Sequence, residues 1–119
     1  MDVEGLNILG AQLNFLGEGL LLLAAEKEAS LDQIKNEKKK EEQSQLATDF
    51  NICGNFIVLL GDTIALIATQ EESEQVFQNE KKVDYTTLEA TRQNLIGAWL
   101  NVVADVFSYR AAVLIASVS

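Results

Sequence analysis

The chain has no histidine, no proline, one cysteine and few aromatic residues among its 119. Each shortage removes options. Without histidine there is no imidazole base beside a Ser or Cys nucleophile, and no Glu-x-x-His pair of the kind a di-iron bundle needs. The single Cys53 cannot close an intramolecular disulfide. It falls in an apolar row, where a free cysteine is expected to be buried as a small hydrophobe, and it fits a reducing cytoplasm. Cationic side chains are also scarce, with nine Lys and Arg against eighteen Asp and Glu and a net charge of −9. The one basic cluster, from Lys35 to Lys40, is diluted by Glu37, Glu41 and Glu42, so no nucleic-acid-binding face is expected. The first residues, MDVEG, carry no basic segment of the secretory type.

What is present is apolar and helical. Hydrophobic residues make up 48% of the chain and gather in three long stretches whose apolar spacing is helical rather than alternating. A length of 119 residues suits one domain, so an all-α domain over 1–119 is expected.

The three stretches, approximately 6–28, 50–72 and 93–115, are degenerate copies of one another. Aligned on Gly10, Gly54 and Gly97, each has an amide three residues earlier (Asn7, Asn51, Asn94). Each has a small residue seven positions later (Gly17, Gly61, Ala104), followed by an acid (Glu18, Asp62, Asp105). The period is 44 residues, then 43. At about 100° per residue, Asn7, Gly10, Asn14 and Gly17 share one helix face. Leu9, Leu13, Leu16, Leu20 and Leu23 flank it on one side, and Ile8, Phe15 and Leu22 on the other. Glycine inside a helix costs about 1 kcal/mol relative to alanine. The usual return is close approach of a second backbone. Asn7, Gly10, Gly17, Asn51, Gly54, Gly61, Asn94 and Gly97 are therefore the expected interface residues. Glu18, Asp62 and Asp105 form a candidate carboxylate cluster, able to approach a hard cation only if the copies pack about a pseudo-threefold axis. They equally well mark the wet edge of the small-residue stripe.

Along the chain, Asp2 is a plausible cap for helix one. The pattern predicts that helix one continues, with a kink near Ala29–Ser30, through the charged connector 29–49 as far as about Glu42. Ser30 and Gln33 offer a capping box as the alternative restart. Thr48 and Asp49 are expected to cap helix two before Phe50, with its end near Gln75. A turn is expected over 79–84, and Thr86 with Glu89 is expected to open helix three, which runs to about Ser117. The architecture implied is an antiparallel three-helix bundle, or a four-helix bundle if 31–44 forms a separate helix. Trp99 and Tyr109 are expected in its core. The non-charged arc of each helix is wide, so a homo-oligomer, with a dimer favoured, is expected to cover it.

The segments NILGAQLNFLGEGL (7–20), NICGNFIVLLGDTI (51–64) and NLIGAWLNVVADVF (94–107) resemble an uncharacterised group of Gly-periodic repetitive helical proteins from Bacillus-type bacteria. The likeness covers roughly half of the chain. It implies a helical fold and a Gram-positive source, and no chemistry. The long charged connectors, and Ala104 in place of the second glycine, depart from that pattern.

No catalytic, cofactor-binding or metal-ligating set emerges. GEGLLLLAA and GDTIALIAT lack the strand–loop–helix context and the Lys of a phosphate loop. The sequence thus points to a soluble, cytoplasmic, non-enzymatic bundle that associates with itself or with a partner protein. The rival is a membrane-inserted bundle. Residues 51–69 hold one charge, Asp62, and 5–25 hold one, Glu18. A spanning helix needs about 20 apolar residues. Against it stand the mid-segment acids, and flanks with neither a Trp/Tyr belt nor a clear Lys/Arg bias.

Overall fold

The computed structural model describes residues 1–118. Three helices account for nearly all of them: α1 Val3–Ala29, α2 Glu37–Gln78 and α3 Tyr85–Ser117, joined by short 3-10 turns at Leu31–Gln33 and Glu80–Lys82. There is no strand among the described residues. The all-α bundle expected from apolar spacing is the fold found.

The ends of the helices are set by local hydrogen bonds. Asp2 Oδ1 accepts from the Gly5 amide at 2.9 Å and opens α1. The helix stops at Ala29, where Ser30 Oγ donates to the Lys27 carbonyl at 3.0 Å. The expected continuation to Glu42 does not occur. Ile34 is extended, and Asn36 Oδ1 accepts from the Lys38 and Lys39 amides at 3.0 and 3.3 Å, starting a new helix. Most of the connector is helical, but it is the first part of α2 and not the last part of α1. Thr48 and Asp49 are therefore not caps. Thr48 Oγ1 donates to the Ser44 carbonyl at 3.0 Å, and Asp49 Oδ1 accepts from Gln45 Nε2 at 2.9 Å, both in mid-helix. The last turn falls where it was expected. Its cap is Asp84, accepting from the Thr87 amide at 2.8 Å, and not Thr86.

α2 is the spine. Its 42 residues at about 1.5 Å each account for most of the 68 Å long dimension of the molecule, against 24 and 20 Å across. α1 runs antiparallel along one side of it, tied at its two ends by Asn7 Nδ2 to Glu72 Oε1 (3.1 Å) and Lys27 Nζ to Gln43 Oε1 (3.2 Å). α3 runs antiparallel along another side, with the Phe56 and Tyr109 rings 5.8 Å apart between centroids. α1 and α3 scarcely touch each other. The three helices therefore do not surround a common axis.

The interior is made mostly of small residues. Buried positions are Gly10, Gly17 and Ala24 in α1; Ala47, Gly54, Gly61, Leu66, Ala68 and Ser73 in α2; and Leu88 and Ala112 in α3. No large side chain is fully buried among the described residues. The accessible surface is 8205 Å². An ordinary compact protein of this mass exposes about 6,400 Å², so the chain leaves outside what a globular core would enclose.

Candidate functional site

Two features stand out: the seam between α1 and α2, and the apolar belt around all three helices.

The seam is a ladder of small residues seven apart. An ideal Cβ placed on Gly10 would lie 2.9 Å from the Gly61 carbonyl oxygen, and one on Gly61 would lie 2.9 Å from the Gly10 oxygen. Gly17 and Gly54 stand in the same reciprocal relation, again at 2.9 Å. The same step carries the row on to buried Ala24 and to buried Ala47 and Ala68. The two backbones meet where no side chain intervenes, which is the arrangement that offsets the conformational cost of the glycines. The alanines were not singled out from the sequence, although their spacing of seven extends the glycine row and would have identified them.

Polar side chains in this region mostly turn inward or onto their own helix. Asn14 Nδ2 donates to Asp62 Oδ1 at 2.8 Å across the seam. Thr63, Thr69 and Ser73 hydroxyls each donate to the carbonyl four residues back. Asn55 Nδ2 donates to the Asn51 carbonyl at 2.8 Å and to Asn51 Oδ1 at 3.3 Å, so the Asn51 side chain accepts within α2. Asp105 of α3 faces Asp62 of α2, with Glu18 of α1 close by. Asn14 Oδ1 and Asp105 Oδ2 are enclosed without a hydrogen-bond partner. Two of the three candidate acids are thus brought face to face. No group of three ligating side chains able to hold a metal ion occurs among the described residues.

The third copy is placed differently. Gly97 has nothing within 4 Å of an ideal Cβ, and Asn94, Asn101 and Ala104 are exposed. α3 meets α2 through the neighbouring face of its helix, which carries Asp105, Tyr109 and buried Ala112. The expected equivalence of Gly97 with Gly10 and Gly54 therefore fails in the isolated chain, because α1 already occupies the glycine face of α2.

Large apolar side chains lie outside. Phe15 is 84% exposed, Phe107 65%, and Leu22, Leu100 and Ile115 62% each. Trp99 and Cys53, expected inside, are exposed as well. The belt has defined limits. Residues 5–25, 50–70 and 96–116 contain only Glu18, Asp62, Asp105 and Arg110 as charges, while charged residues crowd both ends. The seam contacts and the Phe56–Tyr109 contact bring these three segments level with one another. At one rim Lys27 Nζ lies 5.9 Å from the centre of the Phe50 ring and donates to Gln43 Oε1. All three helices are long and apolar enough to cross a membrane.

Surface hollows are shallow. One of about 330 Å³ is lined by Asp49, Ile52, Cys53, Phe56 and Tyr109. Another of about 240 Å³ is lined by Phe15, Leu16, Gly19, Leu20 and Leu23. Comparison with protein-family models, with curated proteins and with solved structures gives no match for this chain.

Proposed function

We propose that the protein is a non-enzymatic helical module that works inside a lipid bilayer, as a three-span bundle held together by its small-residue seam. The observation that carries this is the inverted distribution of side chains: apart from Leu66 and Leu88 the buried positions are Gly, Ala and Ser, while Phe15, Leu22, Trp99, Phe107 and Ile115 lie outside. In water such a surface is costly, since apolar area left exposed forfeits about 25 cal/mol per Å². In hydrocarbon it costs nothing, and helices then associate by close packing and interhelical hydrogen bonds. The dimensions agree. Three level segments of 21 residues, at about 1.5 Å per residue, span about 31 Å, against a hydrocarbon thickness of about 30 Å. Asp62 and Asp105 lie near mid-depth and face the interior, where a carboxyl in a membrane protein belongs. Arg110 is six residues from the belt edge, about 9 Å along the axis, within reach of the interface for a side chain of its length.

The test uses Trp99, the only tryptophan. Reconstituted into phosphatidylcholine vesicles with brominated acyl chains, the protein is expected to lose most of its tryptophan emission and to stay with the vesicles through an alkaline carbonate wash. Undiminished emission with the protein in the wash would reject the bilayer reading.

A second reading is self-association in water, with the exposed side chains covered by further copies and a dimer the simplest case. One observation favours it. Ala90, Gly97, Ala104 and Ala111 repeat on α3 the seven-residue row that α1 and α2 use against each other, and here the row has no partner. Two such rows are self-complementary about a twofold axis, with Gly97 opposite Ala104 of a second copy. Light scattering on detergent-free protein showing a soluble dimer that Gly97→Leu converts to monomer would establish this reading in place of the first.

A further inference from the structure

Resting on the bilayer reading, the next question is which way the bundle faces. Folding sorts the charged residues between two ends. One end carries the N-terminus, the end of α2, the Glu80–Lys82 turn and the start of α3; its cations are Lys81, Lys82 and Arg92. The other carries the end of α1, residues 30–49 and the C-terminus; its cations are Lys27, Lys35, Lys38, Lys39 and Lys40, with Arg110 in the adjoining part of the belt. Lys27, Lys35, Lys38, Lys39 and Lys40 all lie in the stretch between the first two apolar segments. They therefore flank two spans at once, and the break at 30–36 turns the chain back at that end. Lys38 and Lys39 are exposed, held in the first turn of α2 by the Asn36 cap. Lys27 sits at the rim against Phe50.

Short connections rich in Lys and Arg stay on the cytoplasmic side. The bias is counted in cations within about 15–20 residues of the spans, and acids contribute little to it. Both ends are acidic in net terms, so net charge does not decide, but the cation count does. We infer that the protein is inserted with its N-terminus and the Glu80–Lys82 turn outside, and with residues 30–49 and the C-terminus in the cytoplasm. The part of α2 before the belt, residues 37–49, then projects about 20 Å into the cytoplasm as a charged helical stalk.

The experiment places single cysteines at the two ends in a Cys53→Ser background. Gln33→Cys lies in the first turn and Gln78→Cys at the end of α2; both positions are exposed. Protoplasts expressing each variant are treated with a membrane-impermeant maleimide, intact or permeabilised. The expected result is labelling of Gln78→Cys on intact protoplasts, and of Gln33→Cys only after permeabilisation. Replacing Lys35, Lys38, Lys39 and Lys40 together by Gln is expected to make Gln33→Cys reactive on intact protoplasts. The reverse labelling pattern, equal labelling of both ends, or an orientation indifferent to the four lysines overturns the assignment. A carbonate wash of the same protoplast membranes separates the two failures. Protein released by the wash refutes the bilayer reading itself, whereas retained protein with the wrong labelling refutes the orientation alone.

Discussion

Alanine in place of glycine should have opposite effects at Gly17 and Gly97, although both are interior helix positions in matched copies of one motif. At either site the intrinsic helix term favours alanine by about 1 kcal/mol. At Gly97 nothing lies within 4 Å of the new methyl, so that term stands alone and Gly97→Ala should stabilise by about 1 kcal/mol. At Gly17 the methyl would lie 2.6 Å from Val58 Cγ2 and 2.9 Å from both the Gly54 oxygen and the Val58 nitrogen. Two of those three atoms are backbone, so rotamer adjustment cannot clear them and α1 must move away from α2. Overpacking of this kind costs about 1–3 kcal/mol. The helix term cancels between the two variants, so their difference isolates the overpacking: about 1–3 kcal/mol, or roughly 5- to 150-fold in the unfolding equilibrium. The assay is chemical unfolding followed by far-ultraviolet circular dichroism, with wild type and both variants in one detergent. Gly17→Ala as stable as Gly97→Ala, or more so, would refute the claim that α1 and α2 meet backbone to backbone at the glycines.

Three further outcomes follow from the same contacts. Asn14→Ala leaves Asp62 without its 2.8 Å donor and should destabilise by about 1–3 kcal/mol; a double-mutant cycle with Asp62→Ala should return a coupling of at least about 0.5 kcal/mol, and strict additivity would disprove the pairing. The Thr87 hydroxyl and amide beside Asp84 hold its carboxyl below the usual aspartate range. A lowered folded value means that the cap is fully present above the ordinary aspartate pKa and is lost as pH falls through the folded one. Exchange protection at the start of α3 should accordingly drop over that acidic window in wild type and stay flat in Asp84→Asn, where the cap no longer titrates; parallel profiles would rule out the cap as the cause. Gly19 also has open space around an ideal Cβ, so Gly19→Ala should raise stability by about 1 kcal/mol in the same unfolding assay, and a loss would point to an unrecognised contact there.

Much of the architecture could be read from residue spacing. Long apolar stretches without proline implied helices, and Gly10, Gly17, Gly54 and Gly61 implied a close seam, which is where α1 and α2 approach. The break after Ala29 was not legible. The segment KNEKKKEEQSQ is helix-prone on either side of Asn36, and Ser30, Asp32 and Asn36 are all residues able to cap a new helix, so the sequence left the point of restart open. In the structure Asn36 takes that role, accepting from the Lys38 and Lys39 amides. The expected burial of Cys53 and Trp99 failed for a related reason. An apolar position on a helix wheel is a candidate for contact, but which apolar face is covered depends on how many neighbours the helix has and on which sides they lie: α2, which carries Cys53, has two, and α3, which carries Trp99, has one.

Residue order alone determined that the chain is helical, that histidine-based chemistry is absent, and that three helices carry small residues seven apart. Those are properties of one helix at a time, and a period of 3.6 residues is enough to reveal them. Tertiary structure decided which two rows would pair, that Asp62 and Asp105 would meet, and that the apolar segments would lie level. Each of these depends on the register between helices. That register is set by contacts among residues tens of positions apart, and in it the glycine face of α2 meets Gly10 and Gly17 and not Gly97.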